Sequence, residues 1–321
     1  MSGGPLERRL QRGCWLVALL ALLPWLPALV TGELLAWDDD YLVSRNEAGL
    51  LRAPVLAVLD PRGDRTAFGS EFLPLRDLSY RLDARLWGIT GPSAAFGFRL
   101  SNLLLYALCC GLGAHLLLEL GLLAGWPAGA SLGGALLFAW HPAHAESVAW
   151  VAGRKDVLSG ALAFAALLAW LRARQRGGAW LLLAPALAAL ACLAKGTAVA
   201  LPLLALACEL LDRSPRPWRR RARDLLPLLL VCAALALLHA WVGGRSGVRQ
   251  PPRPPAVVLL ADLPVLRRYL VTALVPLRLG VDHGDLVQAL RLRPDALAWP
   301  SPLLSQRIVK DHRNLSKIDF M

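Results

Sequence analysis

At 321 residues, 56% of them hydrophobic and with a mean hydropathy of +0.48, the chain carries more apolar side chain than a soluble core absorbs; soluble domains sit near about 45–50%. A formal net charge of +12 would suggest nucleic acid in a soluble protein. Here the arginines cluster in short stretches between apolar blocks, which is the positive-inside pattern of a membrane protein. Composition therefore excludes a soluble globular enzyme and a nucleic-acid-binding domain, and it predicts an all-α polytopic membrane protein with the bilayer as partner.

In chain order, Arg8, Arg9 and Arg12 precede a first span near 13–31. The start resembles a signal peptide, but "LPWLPALVTGELLAW" offers no small-residue cleavage site, so the span is read as retained, with a cytoplasmic N-terminus. The loop 32–98 is too long for a plain connection and holds ten of the 23 acidic residues. Within it, "PLRDLSYRLDARLWGITG" places Leu75, Leu78, Leu82, Leu86 and Trp87 on one helical face, which predicts a short amphipathic helix on the membrane surface. Further spans are predicted near 100–119, 122–140, 157–171, 178–194, 196–211 and 225–243. Residues 263–281, interrupted by Arg267 and Arg268, either span or lie along the interface.

Arg172, Arg174 and Arg176, and then the six arginines of "DRSPRPWRRRARD" (212–224), fall on the same side as the N-terminus when these spans are counted. "WDDDY" (37–41), the 141–160 segment "HPAHAESVAWVAGRKDVLSG" and Lys195 all then fall on the opposite, extracytoplasmic side. "DHGD" (282–285) joins them if 263–281 is interfacial. The six cysteines (14, 109, 110, 192, 208 and 232) lie in or beside apolar blocks without a CxxC pair, which argues against a disulfide framework or zinc knuckle.

Each polar cluster admits two readings. Asp38 and Asp39 are either part of a solvated acidic loop or carboxylates desolvated enough to work as a base. His141, His144 and Glu146 could ligate a metal, but Pro142 disturbs the local helix and no HExxH motif is present. Orientation of substrate by hydrogen bonds is the preferred reading, and no metal or other cofactor is assigned. Arg154 and Lys155, next to Asp156, are either snorkelling cations or hold a lipid-linked phosphate. Lys195, alone between two apolar helices, invites the second reading too.

The 141–160 segment closely resembles the H-P-x-H-x-E-x-V-A-W-V-x-x-R-K-D-x-L-S motif of the bacterial branch of transmembrane-and-tetratricopeptide O-mannosyltransferase-like proteins. "WDDDYLV", "FLPLRDLSYRLDARLWGITGPSAAFGFRLSNLLLY", "CLAKGTAVALPLLALACELLD" and "RRYLVTALVPLRLGVDH" resemble further motifs of that family in the same order, over roughly residues 33–285. These proteins are similar to GT-C glycosyltransferases. The resemblance implies a membrane domain over 1–285 in the plasma membrane of a bacterium. It also implies a polyprenyl-phosphate-linked sugar as donor and a protein or glycan acceptor.

By position, the resemblance makes Asp38 or Asp39 the general base. Arg154, Lys155 and Lys195 hold the donor phosphate, and His141, His144, Glu146, Asp156, Asp282 and His283 orient substrate. Three features depart from the pattern: "FGFRLSN" lacks a histidine pair, Gly196 stands where proline is usual, and no tetratricopeptide repeats are legible after residue 285. The last stretch, "LSQRIVKDHRNLSKIDFM" (304–321), shifts to a Lys/Ile/Asp bias, and the tail 286–321 reads as a truncated or frameshifted end. Two other functions stay open: a non-catalytic remnant of such an enzyme, and a transporter or flippase. The last would be expected to carry inverted repeats and mid-membrane charges, neither of which is visible.

Overall fold

The computed structural model describes residues 5–30, 33–34, 38–63, 71–211 and 217–245, with isolated positions between 263 and 274. The chain divides into units 1–249 and 250–321, and every element below belongs to the first. All regular structure among the described residues is helical. Among the described residues, four helices are long and apolar enough to cross a membrane: Leu6–Val30, Gly91–Leu123, Val151–Arg176 and Trp218–Arg245. The stretch 263–281 falls mostly outside the described residues, and Asp282, His283 and the tail fall wholly outside them.

Helix α1 (Pro5–Leu20) stops where Pro24 and Pro27 approach, and the chain continues as a tighter 3₁₀ helix, Leu23–Val30. Proline lacks the N–H that would bond back four residues, so carbonyls at the end of α1 lose their helical partners. The Trp140 indole N–H satisfies one of them, donating to Leu20 O at 2.9 Å.

Helix α4 (Gly91–Leu123) is the central strut, with α1, α5 (Ala128–Ala139) and α7 (Arg154–Arg176) packed along it. Between α5 and α7 lie a short 3₁₀ turn, Pro142–His144, and helix α6 (Ala145–Ala149). Helices α7 and α8 (Trp180–Ala194) form an antiparallel hairpin. Its turn is made by Gly177 and Gly178 at φ +61° and +62°, the left-handed region that side chains resist. A 3₁₀ turn, Gly196–Ala200, leads into α9 (Leu201–Leu211), and α10 (Trp218–Arg245) packs beside α8.

Small residues let these helices approach closely. Ala184, Ala188 and Ala191 bring one face of α8 against Trp170 and Leu167 of α7, and Cys232 of α10 joins the same cluster. Close approach of this kind replaces the hydrophobic effect as the source of helix association in lipid. The outer surface is correspondingly apolar: Leu182 is 76% exposed and Leu237 72%. Aqueous surfaces rarely carry such a belt, whereas a bilayer accommodates it.

Helix α3 (Pro74–Trp87) occupies the place where the sequence predicts an amphipathic helix, after the short helix α2 (Val55–Leu59). It turns its charged face inward. Arg76, Asp77, Arg81 and Asp83 are buried, while Leu82 and Leu86 are 59% and 64% exposed. The polar face has partners to satisfy inside the bundle.

The two ends of the bundle differ in chemistry. At one end Arg172 of α7 pairs with Glu119 of α4. There too, the fully buried Glu209 of α9 receives Arg174 at 3.1 Å and Arg221 of α10 at 3.3 Å. Because α7 runs towards this end and α8 returns from it, the start of α7 and the end of α8 share the opposite end. Arg154, Lys155, Asp156 and Lys195 are gathered there.

Candidate functional site

Arg154 opens α7 with a side chain only 1% exposed. A guanidinium at that depth needs partners, since an unpaired buried charge is prohibitively costly. Its Nε donates to Asn102 Oδ1 at 2.7 Å and its Nη2 to Phe98 O at 2.8 Å. Nη2 also lies 2.5 Å from Asp83 Oδ2, and Nη1 donates to Ser79 O at 3.3 Å. The rings of Tyr80 and Phe98 flank the cation at 4.8 and 5.2 Å. Asp83 is steadied in turn by Ser101 Oγ at 2.8 Å. Arg154 therefore ties α7 to α3 and α4.

The backbone just before Arg154 is held by the same elements. Asn102 Nδ2 donates to Trp150 O at 3.0 Å, and the Tyr80 hydroxyl to Val151 O at 2.9 Å. The Ala152 N–H donates to Asp39 Oδ1 at 2.8 Å. Asp39 is fully buried, whereas Asp38 beside it is exposed. The structure thus joins the first-loop aspartates to the 141–160 motif across more than a hundred residues. It gives the two neighbours different surroundings: one anchors backbone and the other faces outward. Burial pushes the Tyr80 hydroxyl up, with Arg76 and Arg154 pulling the other way, so it remains a donor.

Gly153 fits this crossing because nothing larger does. A Cβ there would lie 2.7 Å from Glu146 O and 2.8 Å from Ser147 Cα, both backbone atoms that cannot swing aside. Gly153→Ala is expected to destabilise the protein by about 1–3 kcal/mol, the usual range for overpacking. A lowered melting temperature in detergent checks this; an unchanged one contradicts the close crossing.

The first turn of α7 presents a second, more open layer of charge. Lys155 Nζ lies 2.8 Å from Glu71 Oε2, and Lys195 pairs with Asp156. Arg76 of α3 sits beneath, bound to Asp77 through Nε and Nη2 at 2.8 and 2.7 Å, with its Nη1 3.8 Å from Glu71 Oε2. Burial alone would raise the Glu71 carboxyl. The hydrogen bond and charge of Lys155, with the charges of Arg76 and Lys195, outweigh it and hold that carboxyl below its ordinary value. Lys195 is set in extended backbone directly after α8. His239 of α10 donates from Nε2 to Cys192 O at 3.1 Å, steadying the helix end that carries Lys195.

The histidines of the motif take other places. His141 Nδ1 accepts from the Ala143 N–H at 3.2 Å and caps the Pro142–His144 turn. His144 packs against Phe138 at 4.5 Å and Tyr106 at 5.7 Å, with His141 6.2 Å away. Burial and then the neighbouring His141 lower its pKa, which favours the neutral imidazole. Glu146 is exposed. Among the described residues, no three His, Cys, Asp or Glu side chains are grouped to hold a metal ion.

Asp83, Asn102 and Tyr80, which hold Arg154 and the motif backbone, were not singled out from the sequence. Asn102 carried a signal, a polar amide inside an apolar span; Asp83 and Tyr80 looked like the solvated face of a surface helix. Glu71 and His239 had no distinguishing pattern. Comparisons of the chain with family models, with curated proteins and with solved structures find no match.

Proposed function

We propose that the chain is a GT-C-type glycosyltransferase, moving a sugar from a polyprenyl-phosphate donor to an acceptor hydroxyl at the extracytoplasmic face of the plasma membrane. The observation that supports it best is the Asp39–Ala152 hydrogen bond of 2.8 Å. It sets Asp39, with Asp38 next to it in the chain, against the 141–160 segment three residues before Lys155, so carboxylate and cations occupy one end of the bundle.

In this reading Asp38 is the base, being the member of the pair open to an incoming acceptor. It takes the acceptor proton as that oxygen bonds to the anomeric carbon. The bond from that carbon to the phosphate oxygen breaks, and the electron pair leaves with the lipid phosphate. Lys155 and Lys195 neutralise the charge that grows there. Arg154 holds the frame on which these groups sit. His141, His144, Glu146 and Asp156 border the same end.

Lys195→Gln tests the assignment in membranes supplied with a radiolabelled polyprenyl-phosphate hexose. A lost charge-assisted contact to phosphate costs about 1.5–3 kcal/mol, so the donor KM is expected to rise at least about tenfold. An unchanged donor KM removes Lys195 from the donor site. Label that enters acceptors equally without the chain removes the transferase reading itself.

A further inference from the structure

Helix α10 has two faces of opposite kind. Leu228, Cys232 and Val242 are buried against the bundle, and Arg221 reaches Glu209 on that side. On the other side Arg219, Arg223, Leu226, Leu230 and Leu237 follow one another at spacings of four, three, four and seven, which places them on a single helical face. All five are exposed. From Leu226 to Leu237 the stripe rises about 17 Å, close to half of the roughly 30 Å hydrocarbon core. The leucine stripe is therefore about one leaflet deep, with arginines at its outer edge. Trp218, also exposed, stands beside them at the level where tryptophan favours the membrane interface.

The charges at that edge do not cancel. Arg221 shares the buried Glu209 with Arg174, and Arg223 lies 3.3 Å from Asp224. Arg219 and Arg220 are exposed, and among the described residues no carboxylate pairs with either. A phosphodiester brings one negative charge on two equivalent oxygens, so it can accept from two guanidiniums at once. In phosphatidylcholine the ammonium cancels that charge within the headgroup; in phosphatidylglycerol nothing does. We infer that α10 binds an anionic phospholipid, its phosphate against Arg219 and Arg220 and an acyl chain along Leu226, Leu230 and Leu237. A free phosphate would use the cations but not the leucine lane that continues from them. The site lies at the Glu209 end of the bundle, away from Lys155 and Lys195, and operates whether or not sugar is transferred. If the arginines serve only to orient the helix during insertion, they confer no choice among lipids.

The experiment titrates the purified full chain in dodecyl maltoside with dioleoylphosphatidylglycerol and, separately, with dioleoylphosphatidylcholine, counting bound lipids by native mass spectrometry. Each arginine beside an anionic headgroup contributes about fivefold in affinity. The first phosphatidylglycerol is therefore expected to bind about twenty-five times more tightly than the first phosphatidylcholine. Arg219→Gln combined with Arg220→Gln is expected to abolish that preference and to leave the melting temperature unchanged, since both side chains are exposed. Arg9→Gln combined with Arg12→Gln removes the same charge from exposed positions of α1 and is expected to leave the preference intact. Dihexanoylphosphatidylglycerol keeps the headgroup but has chains too short for the leucine lane, and is expected to bind more weakly than the dioleoyl lipid.

Equal affinity of the wild-type chain for the two dioleoyl lipids overturns the site. A preference that survives in the Arg219/Arg220 variant overturns it as well. So does an equal loss in the α1 variant, because net charge rather than a local seat is then responsible. Dihexanoylphosphatidylglycerol binding as tightly as the dioleoyl lipid leaves the lane without an occupant and also overturns it.

Discussion

Arg154→Ala is expected to destabilise the protein by about 3–5 kcal/mol, the cost of breaking a buried ion pair by removing one partner. The variant leaves the Asp83 carboxylate without its cation at 4% exposure. It also takes donors from Asn102 Oδ1, Phe98 O and Ser79 O. Against a total stability of about 5–15 kcal/mol, such a loss leaves little folded protein at growth temperature. Arg154→Lys should rescue only part of it. An ammonium has no planar fork to reach three helical partners in fixed directions, nor the flat faces that Tyr80 and Phe98 cover. Melting of the purified variants in detergent checks this. A wild-type melting temperature for Arg154→Ala would return Arg154 to the role of a solvent-facing phosphate ligand.

Asp38→Asn should behave in the opposite way, with folding intact and turnover lost. Asp38 is exposed, so the amide costs the fold little. An amide cannot accept a proton at the moment the acceptor oxygen attacks, and loss of general-base catalysis lowers kcat by about 10²–10⁴. The donor KM should change little, because the cations that hold phosphate are untouched. Asp39→Asn separates the neighbours. Its Oδ1 can still accept the Ala152 N–H, so the motif stays anchored. Asp39→Ala removes that acceptor and strands a buried N–H, at about 1–3 kcal/mol. If Asp38→Asn retains turnover and Asp39→Asn loses it without a change in melting, the base is Asp39.

What the sequence disclosed follows from which forces act locally. Apolar length predicts a span because the hydrocarbon core demands it. The spans near 100–119, 157–171 and 225–243 therefore fall within α4, α7 and α10. Their ends were less legible: α4 begins nine residues before the predicted start because a helix continues past the apolar stretch when protein covers it. The face of α3 was readable as amphipathic, but not which face packs inward. That depends on Arg154, seventy residues on, requiring Asp83 and the Ser79 carbonyl.

For the same reason charge type was visible and charge pairing was not. Arg154, Lys155 and Lys195 look alike in sequence. Burial and partners divide them: Arg154 is enclosed by helices, while Lys155 and Lys195 are 27% and 28% exposed beside single carboxylates. The gathering of Asp39 with the motif was anticipated from order along the chain. Its means, a side-chain oxygen on a backbone N–H, carries no sequence signature. Asp282 and His283 lie outside the described residues.

The most direct measurement is sugar transfer by the purified wild-type chain in liposomes supplied with a radiolabelled polyprenyl-phosphate hexose and a hydroxyl-bearing peptide or glycan. The account predicts label in the acceptor with inverted anomeric configuration, dependent on the chain and abolished by Asp38→Asn. An intact fold that moves no sugar from any polyprenyl-phosphate hexose to either acceptor would contradict it.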